Sequence, residues 1–290
     1  MTIVNRPRLS VSTWSLHRSL GRPTFSGPES NENEGGVPTT TPSFTLLELP
    51  ARIAEQGIHT LEICHFHLAS RDPAYLTQLR KAIEAAGVEL WQLLIDAGDV
   101  TDPQHADRDI AWIEDWIDVA CQLGAKRARV IAGKAEPSKA ALAKSQDALM
   151  NLADYAGMRG LRLMTENWHN LLSTPEAVLT LIDGLEGDVG LLADFGNWKG
   201  PQKYDDLAQI LPRAESCHTK CHFSAPGVMD QTDFVRCLDL ARAAGFKGPH
   251  TLIYDGPGDD EFEGLQLERA VVMPYVGGPT QSTRDTDNDE

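Results

Sequence analysis

Leu163-Met164-Thr165-Glu166-Asn167, Leu191-Leu192-Ala193-Asp194-Phe195 and Glu215-Ser216-Cys217-His218-Thr219-Lys220 are three short β-like runs, each carrying a carboxylate or an imidazole near its end. Glu166 and Asp194 are 28 residues apart, and Asp194 and His218 are 24 apart. Each step is about one strand plus one crossover helix, so successive strands of a parallel sheet can aim all three side chains at one point. Glu, Asp and His supply the oxygen and nitrogen donors that hold Mn²⁺, Mg²⁺ or Zn²⁺. The trio is therefore read as a metal set, with Mn²⁺ the first choice.

The same alternation extends outward to both ends of the chain. Strands are expected at Leu9–Thr13, Thr60–Cys64, Glu89–Ile95, Arg127–Ile131, Arg162–Glu166, Gly190–Asp194, Ser216–His218 and Thr251–Tyr254. Between them, helical periodicity predicts Phe44–Glu55, Ala74–Ala86, Ala106–Leu123, Lys139–Met158, Pro175–Leu185, Tyr204–Leu211, Asp233–Ala244 and Phe262–Val272. Gly57, Gly87, Gly124, Gly160 and Gly245 each stand just past a helix, where a left-handed cap is expected. Eight β–α units, with no GxGxxG after any strand, predict an α/β (β/α)₈ TIM barrel in one domain over residues 1–275. The irregular stretch Arg18–Ser43 would overhang the active-site face, and 276–290 is expected to be a disordered acidic tail.

The chain has 290 residues, 41% hydrophobic and 23% charged, with a net charge of −16. Such an acidic balance argues against a nucleic-acid partner. The five cysteines form no secretory framework, the first residues lack an apolar signal core, and no apolar run is long enough to span a membrane. A soluble, cytoplasmic protein with no membrane partner is expected, and self-association as a homo-oligomer is left open.

Several further residues are candidates for a site. Cys64-His65-Phe66-His67 puts two imidazoles at i and i+2 after the second strand, on one face if the chain stays extended. His169 and His222 also follow strands, and an imidazole titrates where proton abstraction at neutral pH needs it. His65, His67 and His169 are thus candidate acid–base groups beside Glu166. Glu62, a carboxylate within an apolar strand, either bonds substrate or pairs with a neighbouring base. Trp14, Trp168 and Trp198 follow strands and offer indole faces for a sugar or aglycone, while Lys220 could hold a substrate oxygen.

Thr13-Trp14-Ser15, Leu61-Glu62-Ile63, Glu166, Asp194-Phe195-Gly196-Asn197, His218-Thr219-Lys220 and Ala244-Gly245-Phe246-Lys247-Gly248-Pro249 together resemble the xylose-isomerase-like sugar phosphate isomerase/epimerase superfamily. The likeness spans roughly residues 8 to 275. It implies a fourth metal ligand, a Glu at the end of strand eight. In Gly248-Pro249-His250-Thr251-Leu252-Ile253-Tyr254-Asp255 that position falls on Ile253, so Asp255, two residues on, is expected to supply the contact. Free-ketose epimerases of this superfamily usually carry a His and a Glu where this chain has Asn197 and Leu172. Asn197, with Trp14, Trp168, Glu62, Lys220 and His222, is assigned to substrate binding.

The function that the resemblance implies is a metal-dependent isomerase, epimerase or lyase (dehydratase) acting on a carbohydrate or cyclitol through an enediolate. The alternative is a non-catalytic sugar-binding barrel with a degraded metal site. An apurinic endonuclease, also within the superfamily, would need a basic groove that the charge balance disfavours.

Overall fold

A computed structural model describes residues 6–30 and 36–277. Eight parallel strands close into a barrel: β1 (Arg8–Ser12), β2 (Thr60–Cys64), β3 (Glu89–Leu94), β4 (Arg127–Arg129), β5 (Arg162–Glu166), β6 (Val189–Asp194), β7 (Ala214–Lys220) and β8 (Pro249–Ile253). The ring is closed by β1 against β8, with Arg8 opposite Pro249 and Val11 opposite Leu252. Ser15 locks this seam: its Oγ donates to the Leu252 carbonyl at 3.0 Å and accepts from the Tyr254 N–H at 2.9 Å.

The outer ring is α1 (Leu49–Glu55), α2 (Pro73–Ala85), α3 (Ala106–Leu123), α4 (Lys139–Gly157), α5 (Pro175–Gly184), α6 (Lys203–Ile210), α7 (Gln231–Ala243) and α8 (Glu261–Val276). The eightfold alternation expected from the sequence is thus the architecture found. In α3 the buried positions Ile113, Trp116, Ile117 and Ala120 form the stripe that faces the strands. Gly124 adopts φ +79° and ends α3 in the left-handed cap its position predicts. Ser138 and Thr174 start α4 and α5 by accepting the N–H of the third residue on. A short hairpin, Phe223–Ala225 with Val228–Met229, follows β7 and was not expected.

The apolar core lies between strands and helices, while the barrel interior is polar. Ser10, Ser12, Glu62, Gln92, Ser216 and Thr251 are all fully buried there. At the N-terminal end, the Trp91 ring is sandwiched between the guanidinium groups of Arg8 and Arg127, 4.4 and 3.6 Å from its centroid. The opposite end is open. The loop after β1 crosses it, held by a bridge between Pro23 and Pro38 and by the His65 Nε2–H donating to the Ser26 carbonyl at 2.9 Å. The acidic tail from 278 onward lies outside the described residues.

Candidate metal centre

Glu166 and Asp194 end β5 and β6, and Asp194 is in register with His218 of β7. One donor atom from each of the three lies within 4.8 Å of the others, and all three residues are buried. His218 Nδ1 is 3.5 Å from Asp194 Oδ2 and 4.0 Å from Glu166 Oε1. The second imidazole nitrogen, Nε2, lies 2.7 Å from Glu62 Oε2. A carboxylate can only accept, so Nε2 carries a proton; once the ring gives up its second proton, the lone pair is left on Nδ1, the nitrogen that faces the trio. Glu62 Oε1 also accepts from Thr251 Oγ1 at 2.9 Å and Ser216 Oγ at 3.4 Å. Glu62 therefore does not line the pocket, as a substrate contact would. It sits beneath His218 and orients it, the role a carboxylate plays behind a metal-bound histidine.

The sheet and its turns brace the other two members of the trio. Asn167 accepts from the Asp194 N–H at 2.7 Å and donates back to its carbonyl at 3.2 Å. Asp194 Oδ1 accepts from the N–H groups of Gly196 (2.5 Å) and Asn197 (3.1 Å), an Asx turn that the Asp-Phe-Gly-Asn run favours. At Gly196 the space is tight: a Cβ there would lie 2.6 Å from Lys220 Cδ, and the lysine side chain would have to shift. Asn197 Nδ2 donates to Glu166 Oε1 at 2.7 Å, so Asn197 holds the Glu166 carboxylate as well as facing the cavity.

Electrostatics favour a cation at this point. Burial opposes a charge on His218, but the Glu62 carboxylate, then Asp194 and Glu166, outweigh it and raise its pKa to about 10. Burial raises the Glu166 carboxyl, only partly offset by Arg129 and His218. Asp194 is lowered despite its burial, chiefly by His218. Glu166 Oε2 is buried without a hydrogen bond; Arg129 Nε approaches to 3.1 Å, near enough to pair but not aligned to donate. One nitrogen and two carboxylates, with an unsatisfied oxygen among them and Glu62 behind, form a donor set that fits a divalent ion.

The trio opens into a cavity of about 440 Å³. Trp14, Trp168, His169, Asn197 and Lys220 line it, as the sequence suggested, together with Phe25, Phe66, Leu94 and Ile253. His169 holds a left-handed φ of +59°, rare for a non-glycine residue. Its ring stacks on Trp168 at 4.1 Å, and its Nε2 is buried without a partner. Burial, with Lys134 and Arg129 nearby, lowers its pKa to about 4.

Four expectations require correction. Residues 65–67 turn into a 3₁₀ segment instead of staying extended, so i and i+2 no longer share a face. Phe66 faces the cavity and the two histidines do not line it. His65 is held between Ser26 and the Asp96 N–H, while His67 Nδ1 meets Thr13 Oγ1 at 2.8 Å and Nε2 meets His17 Nδ1 at 3.0 Å. Burial, reinforced by His17, lowers His67 to about 3, so it stays neutral. His222 is exposed and outside the cavity, and Trp198 is packed in the core with its indole N–H on the Leu172 carbonyl. Asp255 stands apart from the trio, half-exposed and paired with Lys220 Nζ at 2.5 Å, because β8 ends at Ile253 and strand alternation ends with it.

Two cavity residues escaped the sequence reading. Arg129, buried at the end of β4, pairs with Asp96 Oδ1 at 2.5 Å and lies over the Trp168 ring, 5.4 Å from its centroid. Arg129 is a charged residue inside an apolar strand, the same signal that marked Glu62. Asp96 is an acid two residues past the end of β3, much as Asp194 stands at the end of β6.

Residues 50–266 match the family profile described as the xylose isomerase-like TIM barrel. Among solved structures, a xylose isomerase-like TIM barrel protein from Mycobacterium smegmatis in complex with magnesium is 16% identical, with 94% of this chain and 98% of that one covered and a TM-score of 0.64. A D-psicose 3-epimerase, solved in the presence of D-fructose, is 13% identical, with 94% and 100% covered and a TM-score of 0.66. The probable 3-DHS dehydratase AsbF of petrobactin synthesis, from Bacillus anthracis, is also 13% identical, with 92% and 98% covered and a TM-score of 0.65. At these identities the likeness speaks for the fold alone. No curated protein sequence matches the chain.

Proposed function

The chain belongs to the xylose isomerase-like TIM barrel family, and on that premise we propose that it is a divalent-metal-dependent enzyme acting on a sugar, keto-sugar or cyclitol, as an isomerase, epimerase or lyase. The observation that carries this reading is the convergence of Glu166, Asp194 and His218 at the open end of the barrel. Those three residues would hold the ion, with Glu62 fixing the His218 tautomer. A divalent ion there supplies Lewis-acid polarisation of a substrate carbonyl and compensates the negative charge left when the adjacent C–H loses its proton.

The chain's own residues then divide the remaining work. His169 is neutral at physiological pH and presents an unpartnered nitrogen, so it suits a general base better than an acid. Lys220, already set against Asp194 and Asp255, can hold a substrate oxygen. Asn197 keeps Glu166 oriented.

Within this class we favour elimination over epimerisation of a free ketose. Inverting a carbon needs a proton-exchanging group on each face. Ile253, at the position where the resemblance puts a Glu, has no proton to exchange, and Asn197 and Leu172 stand where free-ketose epimerases usually carry a His and a Glu. The competing reading, a sugar-binding barrel without turnover, rests on that same isoleucine. Metal analysis with incubation of candidate keto-sugars in D₂O separates them. Near-stoichiometric divalent metal and deuterium uptake beside the carbonyl, both lost in Asp194→Asn, are expected of the enzyme. Retention of neither would leave the binding barrel.

A further inference from the structure

The cavity has two chemically different halves, and the metal reading uses only one. Trp14 from the turn after β1, Phe25 from the 18–43 loop and Phe66 from the turn after β2 meet on one side of it. The Phe25 and Phe66 ring centroids are 4.4 Å apart, and Trp14 lies 6.0 and 6.3 Å from them. Phe66 is fully buried, yet Phe25 is 62% exposed. The chain on either side of Phe25 is nevertheless fixed: the Thr24 N–H donates to the Val37 carbonyl at 3.0 Å, and Ser26 accepts from His65. Across the loop, Gly36 presses onto the Phe66 backbone so closely that a Cβ would come within 1.8 Å of its carbonyl oxygen. An uncovered phenyl ring is thus held in place at the cavity lip, continuous with the buried apolar surface of Phe66 and Leu94.

A polyol can lay a C–H face on this wall, but its hydroxyl groups gain no hydrogen bond from three carbon-lined rings. An aromatic ring would gain both apolar burial and ring–ring contact. At about 440 Å³ the cavity falls in the size range of sites that enclose a drug-sized ligand. We propose that this wall is a subsite for a flat aromatic group carried by the substrate, so that the ligand is an aryl-substituted polyol such as an aryl glycoside. This rests on the proposed function for the polyol half. Asp96, whose Oδ2 is buried and unpartnered between the two halves, is placed to accept a hydroxyl from the ligand.

The test is titration of the metal-loaded protein with phenyl β-D-glucopyranoside, methyl β-D-glucopyranoside and phenol, by calorimetry and saturation-transfer NMR. The phenyl glycoside is expected to bind about tenfold tighter than the methyl one, the worth of one good aromatic contact. Its ring protons should carry the strongest saturation, and Phe25→Ala should remove most of the difference while leaving metal content unchanged. Equal binding of the two glycosides, no binding of any phenyl probe, or a preference that survives Phe25→Ala would each overturn the proposal. A ring preference in a protein that retains no metal would sink the enzyme reading and leave the subsite standing. Bound metal without a ring preference would do the reverse.

Discussion

Glu62→Gln isolates what the buried carboxylate under His218 does. In the metal-free protein the Glu62 charge is the chief reason His218 holds its proton up to about pH 10. An incoming ion must displace that proton. At pH 7 the displacement costs about three decades of affinity, or about 4 kcal/mol. The sign follows directly: wild-type affinity should rise about tenfold per pH unit from neutrality toward pH 10 and then level off. The same carboxylate also fixes the tautomer that points Nδ1 at Asp194 and Glu166. Losing it should weaken the site about 10–100-fold once proton competition is absent. The variant should therefore bind Mn²⁺ at most modestly more weakly than wild type near pH 9, with the order reversing toward pH 6, because its own pH slope is shallower. Mn²⁺ titration by electron paramagnetic resonance across that range measures both slopes, with circular dichroism to verify folding. A wild-type affinity that is flat with pH, or two parallel lines, would refute the reasoning.

Four other substitutions probe neighbouring features. Asp255→Asn should leave metal retention unchanged, since Asp255 pairs with Lys220, whereas Ile253→Glu should tighten it; elemental analysis after dialysis decides both. His169→Gln should lower turnover about 10²–10⁴-fold at unchanged metal content, and the acid limb of the wild-type kcat/KM profile attributable to this base should fall near pH 4, where the ring protonates. Glu268 on α8 is fully buried, and burial raises its carboxyl well above the usual range. Its folded state favours the protonated form, so its stabilising contribution is complete below about pH 4.5 and lost as pH rises toward the raised value. Glu268→Gln should accordingly raise Tm more at pH 8 than at pH 5; equal shifts would contradict this.

The convergence of Glu166, Asp194 and His218 was legible because each residue stands at or near the end of a buried strand, where period-two alternation and parallel register decide which way a side chain points. Glu62 was legible as an inward carboxylate for the same reason, although not which neighbour it would bond. Legibility failed where strands became turns. His65 and His67 were placed by a rule for extended chain that does not hold in a 3₁₀ segment, and Asp255 was extrapolated beyond the point where β8 ends. Arg129 carried a readable signal, a charge in an apolar strand, that was applied at β2 and not at β4. Phe25 had none, since nothing local in the 18–43 stretch marks which residue reaches back over the barrel.

The two sides of the cavity come from different stretches of chain. Glu166, Asp194 and His218 lie on β5 to β7, while Trp14, Phe25, Phe66 and Leu94 all precede β4. Among the described residues, the polar side-chain contacts that reach the trio from β1 to β4 are Glu62 to His218 and Arg129 to Glu166. An arrangement of this kind lets recognition drift while chemistry is inherited intact: loops of the first half can be exchanged between homologous barrels, provided those two residues travel unchanged. Grafting the segment between β1 and α1 from a relative is therefore a practical route to altered ligand choice with the ion site undisturbed.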